Sequence, residues 1–274
     1  MRLGNLLIAS LTAIVCGIVL VGCDRGEAPR DTPAQQSSSA SEPAATTSTV
    51  TVDPAGASAC PKHGGRWDAT QGCVIDEVTP QATQHLLIPV QWDASFPELQ
   101  KAVDELVADI RAKFRTSAER AGAPPEGKQW ALNVTFDAYQ GKGVHPTDGV
   151  RFSISESLGG YHPGFAFRTV TFDRITKQAV TLGSLLIDLA AALPKISALV
   201  RSDLRAQLGG VGTEFVDTGT VPEAGNFKNL SLDGDALLFS FEPYQVAAYA
   251  EGPMQSRVAL SALRDVVKPE YLPA

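Results

Sequence analysis

Between Asp31 and Ser58, 20 of 28 residues are Ser, Thr, Pro or Ala, and only Val50 and Val52 have side chains able to bury much surface. Such a stretch cannot offset the entropy of ordering its own backbone. It therefore divides the chain, and the folded body must be built from the part C-terminal to it, roughly 190 to 215 residues, enough for one domain or for two small units sharing a core. An apolar fraction of 44% and a charged fraction of 19% suit that body to an ordinary globular core and exclude collagen and coiled coil.

In front of this stretch, Met1 to Asn5 carries one positive charge, on Arg2, and Leu6 to Val21 is an apolar run of 16 residues. That run is short for a membrane span and reads as a signal peptide over residues 1–22, with an uncleaved anchor as the competing reading. It ends in Leu20-Val21-Gly22-Cys23, which resembles the lipobox of bacterial lipoproteins. The resemblance implies diacylglycerol on the Cys23 thiol, membrane attachment through that lipid, and a place in the bacterial cell envelope facing the periplasm or the exterior. Two or more acyl chains give durable attachment, since each buried methylene contributes about 0.8 kcal/mol. Residues 23–58 are then a disordered tether spanning on the order of 30–35 Å. The formal charge is −7, and −8 once Arg2 leaves with the signal peptide, so no nucleic-acid partner is expected.

Cys16 leaves with the leader and Cys23 is acylated, which leaves Cys60 and Cys73 in an oxidising compartment. A disulfide between them would staple a small segment over residues 59–83. Metal is the alternative, with Cys60, His63 and Cys73 as three ligands, although the spacing matches no common zinc module and no fourth ligand is evident. Neither a metal nor a cofactor is expected.

In the body, Leu86, Leu87, Ile88 and Val90 predict a strand over residues 85–92, and Ser95-Phe96-Pro97-Glu98 has the spacing of a helix capping box. Leu99, Val103, Leu106, Val107, Ile110 and Phe114 then form one helical stripe that Gly122 and Pro124-Pro125 end. Period-2 alternation predicts strands at Trp130 to Ala138, Val150 to Ile154 and Phe165 to Phe172, with Gly141-Lys142-Gly143 as a loop and Val180 to Leu182 pairing back. Pro194 suits a first helical turn, so a second helix is expected to start there, with Ile196, Leu199, Val200, Leu204 and Leu208 on its apolar face. Asp233-Gly234-Asp235 is a hairpin turn, Val258 to Leu260 a last strand, and Ser261 a helix cap. The sum is an α+β fold, a mixed or antiparallel sheet with helices packed on one face.

Gly159-Gly160-Tyr161-His162-Pro163, Phe172-Asp173, Leu185-Leu186 and the run from Phe239 through Pro243-Tyr244 and Tyr249 to Gly252 resemble the RsiV-like C-terminal domain family. The segment before them is similar to the PdaC-type domain that usually precedes it. The resemblance implies a PdaC-type subdomain over 84–165, an RsiV-like subdomain over 166–274, and an extracytoplasmic binding role, in RsiV recognition of lysozyme. No deacetylase domain and no cytoplasmic sigma-factor segment accompany these regions, so those activities are not carried over.

No Gly-x-Ser-x-Gly, Ser-x-x-Lys, His-Glu-x-x-His or Walker pattern occurs. The calcium-loop reading of Asp233-Gly234-Asp235 places Tyr244 where a bidentate Glu is needed. The ligand-binding candidates are Tyr161, His162, Tyr244 and Tyr249. Tyrosines suit recognition by offering rigid area with a hydroxyl, while the competing structural reading has them plugging the core edge. His162 is a loop-fixing ring, a ligand contact or, as the alternative, the reacting group of a peptidoglycan-directed hydrolase or esterase. The expectation is a non-catalytic binding module for a protein, lysozyme among them, or for peptidoglycan. Cys23→Ser should abolish incorporation of an alkynyl fatty acid into the protein and release it from membranes on fractionation; retained labelling would refute acylation at this residue.

Overall fold

The computed structural model describes residues 54–273 apart from 211. The signal peptide, Cys23 and most of the tether expected over 23–58 lie outside the described residues. The end of that segment is helical, as α1 (Pro54–Ala59). Packing orders it: Ala59 is buried, and Gly56 lies so close to Trp67 that a Cβ there would sit 3.0 Å from the indole.

Cys60 and Cys73 are joined by a disulfide, Cα to Cα 5.4 Å, which consumes both sulfur ligands of the metal alternative. His63, the third candidate, lies between two carboxylates, 3.0 Å from Asp104 and 3.2 Å from Asp93. The stapled segment is not a separate knob. Its strands β1 (Arg66–Asp68) and β2 (Gly72–Val78) extend the main sheet, and both cysteines sit in the core that contains Leu86 and Phe114.

That sheet continues through β3 (Ala82–Ile88), β4 (Trp130–Lys142), β5 (Pro146–Ser157) and β6 (Gly164–Asp173), in sequence order across six strands. All neighbours are antiparallel except β3 and β4. A parallel pair needs a long crossover, and α2 (Pro97–Ala121) supplies it. Its buried stripe, Leu99, Val103, Val107, Ile110 and Phe114, is the predicted one with Leu106 at the margin. The capping box does not form: the Ser95 hydroxyl donates to the Gln91 carbonyl instead, because the turn from Trp92 to Phe96 puts the side chain on the upstream side.

Trp130, Leu132 and Val134 of β4 face α2, so the alternate residues face the other way. Against that second face lies a three-stranded antiparallel sheet, β7 (Leu230–Asp233), β8 (Ala236–Phe241) and β9 (Met254–Ala259). Arg151 Nη1 donates to Ser240 Oγ across the contact, at 2.9 Å. β8 is buried along its whole length. Leu237, Phe239 and Phe241 point to a second core formed with α4 (Leu189–Gln207). The order is thus helix, sheet, sheet, helix, and the α+β class holds. The strand expected from Phe165 continues to Asp173, so the chain passes to the second core after that residue, and the boundary expected at 165/166 falls inside β6.

Three local expectations give way to packing. β4 runs through Gly141 to Lys142, where a loop was expected. A Cβ at Gly141 would lie 2.9 Å from Leu232, and one at Gly143 2.7 Å from the Tyr271 backbone, so these glycines serve close approach. The return of Val180 onto β6 is reduced to a bridge between Phe172 and Ala179, because Thr181 and Ser184 form a capping box for α3 (Leu182–Leu185). Helix α4 starts five residues before Pro194. Asp188 caps it by accepting from the Ala191 amide, and Pro194 and Ala190 are both exposed, so water meets the carbonyl that proline leaves unbonded. Replacing both Cys60 and Cys73 by Ala should lower unfolding free energy by about 3 kcal/mol, read by denaturant titration; an unchanged midpoint would show that the staple is dispensable.

Candidate functional site

The predicted aromatic residues come from two connections. Residues 158–163 join β5 to β6, turning at Gly159 with φ +90°. Residues 242–253 join β8 to β9, anchored by buried Val246 and Ala247 and by Gln245, whose amide donates to the carbonyl of Asn226 at 3.0 Å. The next helix, α5 (Thr213–Gly219), approaches so closely that a Cβ on Gly219 would overlap the Gln245 carbonyl, at 1.8 Å. This tight seat holds Tyr244 at φ +68° with 59% of its surface exposed. A bulky residue in the left-handed region costs about 1–3 kcal/mol and persists where its surroundings over-determine it.

The two connections meet through their rings. His162 stacks on Tyr249 with centroids 4.2 Å apart and planes 21° from parallel. Tyr244 lies beside Tyr249 at 5.5 Å, and the Tyr249 hydroxyl donates to the Pro163 carbonyl at 3.3 Å. Tyr161 projects fully into solvent. Three of the four predicted residues therefore form one exposed patch of rings, and the fourth stands next to His162 in the chain. Tyr249 also fixes the loop, so structural and surface roles coexist in that residue.

His162 has no acid or hydroxyl hydrogen-bonded to its ring among the described residues; the imidazole–carboxylate pairs belong to His63, His85 and His145. Of these, the pair of His145 with Asp173 was not anticipated. Asp173, fully buried, accepts from His145 Nδ1–H at 2.7 Å, from the Tyr271 hydroxyl at 3.2 Å and from the amides of Ile175 and Thr176. Burial pushes its carboxyl up, but the Thr176 amide, the His145 ring and the Ile175 amide outweigh burial and hold it below the ordinary carboxylate value. Burial, together with that same carboxylate, pushes the Tyr271 hydroxyl up to about 12. The Tyr271 bond joins residues 98 positions apart and the His145 bond residues 28 apart, and together they tie the segment of Tyr271 to the β4–β5 turn, where the His145 amide also donates to the Glu270 carbonyl.

Residues 184–261 match the family described as "Protein of unknown function (DUF3298)". The matched part carries Tyr244 and Tyr249, while Tyr161 and His162 precede it. The immunogenic protein MPT64 of Mycobacterium tuberculosis is 26% identical over 198 residues, covering 72% of this chain and 82% of its own. The esterase Rv3036c of the same organism is 25% identical over 205 residues, 74% of this chain and 86% of its own. The peptidoglycan-N-acetylmuramic acid deacetylase PdaC of Bacillus subtilis is 25% identical over 149 residues, 53% of this chain but 31% of PdaC. A crystal structure of a DUF3298 family protein from Pseudomonas aeruginosa PAO1 superposes with a TM-score of 0.57 at 16% identity, over 73% of this chain and 94% of that one, and so shares the fold.

No helix among the described residues is long and apolar enough to cross a membrane. The Asp173 cluster predicts how stability responds to acid. A carboxyl whose value is lowered by folding contributes stability that is complete above its unfolded value of about 3.9 and is lost as pH falls through the folded value. Asp173→Asn should therefore be less stable than the parent at neutral pH, and the gap should narrow below about pH 4 in acid-unfolding curves; a gap constant with pH would show that the charge of Asp173 contributes nothing.

Proposed function

We propose that the chain is a lipid-anchored binding module of the bacterial envelope, and that the patch of Tyr161, His162, Tyr244 and Tyr249 is its recognition surface for a protein or cell-wall ligand. The observation that carries this reading is Tyr244, held in a strained left-handed conformation yet more than half exposed beside a ring stack. A ring that served the core would be buried, and strain persists at functional sites because the position of the side chain matters there. Tyrosine clusters of this kind make efficient anchors, since they bury rigid area at low entropic cost. The disulfide agrees with an oxidising compartment, and the similarity to PdaC supports a ligand of the cell wall.

Among protein ligands, lysozyme is the first to test, on the RsiV-like resemblance of the C-terminal subdomain. A chain of formal charge −7 would draw a cationic partner and raise its association rate more than its affinity. The second reading is a hydrolase or esterase acting through His162, favoured by the similarity to a protein named an esterase.

One experiment separates the two. Calorimetric titration with lysozyme and co-sedimentation with purified peptidoglycan should detect binding of at least one at micromolar concentration, weakened about tenfold or more by Tyr244→Ala. Tyr244→Gly should weaken binding equally while leaving stability unchanged or higher, because glycine relieves the strain. Absence of binding to both ligands at tens of micromolar would overturn the binding reading. Turnover of an aryl ester that His162→Ala abolishes would replace it with the catalytic one.

A further inference from the structure

A separate cleft of about 580 Å³ opens between α2 and the β5–β6 hairpin. Its floor is apolar, from Ile110 on α2 and Ile154 on β5, both buried. Three cations line it. Lys113 is paired with Asp109 at 2.6 Å, and Arg168 is steadied by donating to the Phe167 carbonyl at 2.7 Å and by a looser ion pair with Glu242 at 3.7 Å, which leaves its fork only partly neutralised. The side chain of Arg120, in the last turn of α2, makes no hydrogen bond or ion pair among the described residues.

Glu156 is the unusual member. It is half-buried in the cleft wall, its carboxyl accepts no hydrogen bond among the described residues, and burial pushes it up against the opposing pull of Arg168. A half-buried carboxylate without a protein donor is free to accept from a ligand N–H that enters the cleft. Gly164, directly opposite Glu156 in the β5–β6 ladder, keeps the space over it open.

We propose that this cleft is a second binding site, independent of the aromatic patch, for the carboxylate end of a short peptide with small apolar side chains. Arg120 and Arg168 receive the terminal carboxylate, with guanidinium forks suited to its two oxygens. Ile110 and Ile154 cover the apolar side chain, and Glu156 accepts from a peptide N–H. A polyanion is a poor occupant, because Asp109 and Glu156 share the cleft with the cations.

Titrating the full chain, labelled at isoleucine methyl groups, with N-acetyl-dialanine and with its C-terminal amide tests this. The acid should give saturable shifts at Ile110 and Ile154, and the amide should bind at least fivefold more weakly. Arg120→Ala should weaken the acid about tenfold, as expected for loss of a charge-assisted bond, and Arg120→Lys should restore part of the affinity. Tyr244→Ala should leave these shifts unchanged, which separates this site from the aromatic patch. Equal affinity for acid and amide, no saturation at millimolar concentration, or shifts confined to isoleucines outside the cleft would each overturn the proposal.

Discussion

The long pairing of β4 with β5, in register from Ala131 opposite Ser157 to Lys142 opposite Pro146, is the constraint on which the rest of the molecule depends. Strand side chains alternate between faces, so one hairpin serves two cores. Leu132, Val134, Val150, Phe152 and Ile154 turn to α2, while Gly141 and Arg151 turn to the second sheet. A shift of one residue would exchange the two sets and leave neither layer packable. Arg151 marks the cost of that arrangement. Its two terminal nitrogens donate to Ser240 and Asp137 and the guanidinium lies over the Phe167 ring at 4.7 Å, so charge is carried into the contact between sheets largely paired, with Nε buried and left without a partner among the described residues.

The aromatic patch arises from the same architecture. Its two connections belong to different sheets, and they can touch because the three-stranded sheet lies against the six-stranded one. The Tyr249 hydroxyl on the Pro163 carbonyl and the ring stack on His162 join them. The strain at Tyr244 is held by the buried Val246 and Ala247 just beyond it and by the contact of Gly219 with Gln245. The proposed recognition surface is therefore presented on a rigid support, which lowers the entropy lost on binding.

Local signals were legible where a side chain's own periodicity decided the outcome. The stripe from Leu99 to Phe114, the alternation from Trp130 and the turn at Asp233-Gly234-Asp235 all appear where the sequence pattern puts them, because burial of one face is a local requirement. Signals that depend on distant partners misled. Gly141 looks like part of a loop, yet it lies in β4 and is a glycine because Leu232 approaches it, while Gly143 does sit in the β4–β5 turn, close against Tyr271. Pro194 looks like a helix start, yet Asp188 caps the helix upstream and solvent satisfies the carbonyl that proline frees. The Ser95 box failed because the preceding turn redirected the hydroxyl. In the candidate site, the four ring residues could be named from a Gly- and Pro-marked context, but nothing in that context says that they meet.

The sequence by itself determined the class of fold, the pairing of the two cysteines that remain in the folded body and the identity of the ring residues, since each rests on residue type and short spacing. Only the tertiary structure decided that residues 59–83 join the main sheet, that His145, Asp173 and Tyr271 converge, and that Glu156 lacks a donor within a cleft. The physical reason is common to all three: each is a relation between residues brought together by strand order and layer packing, and such relations leave no periodic trace along the chain.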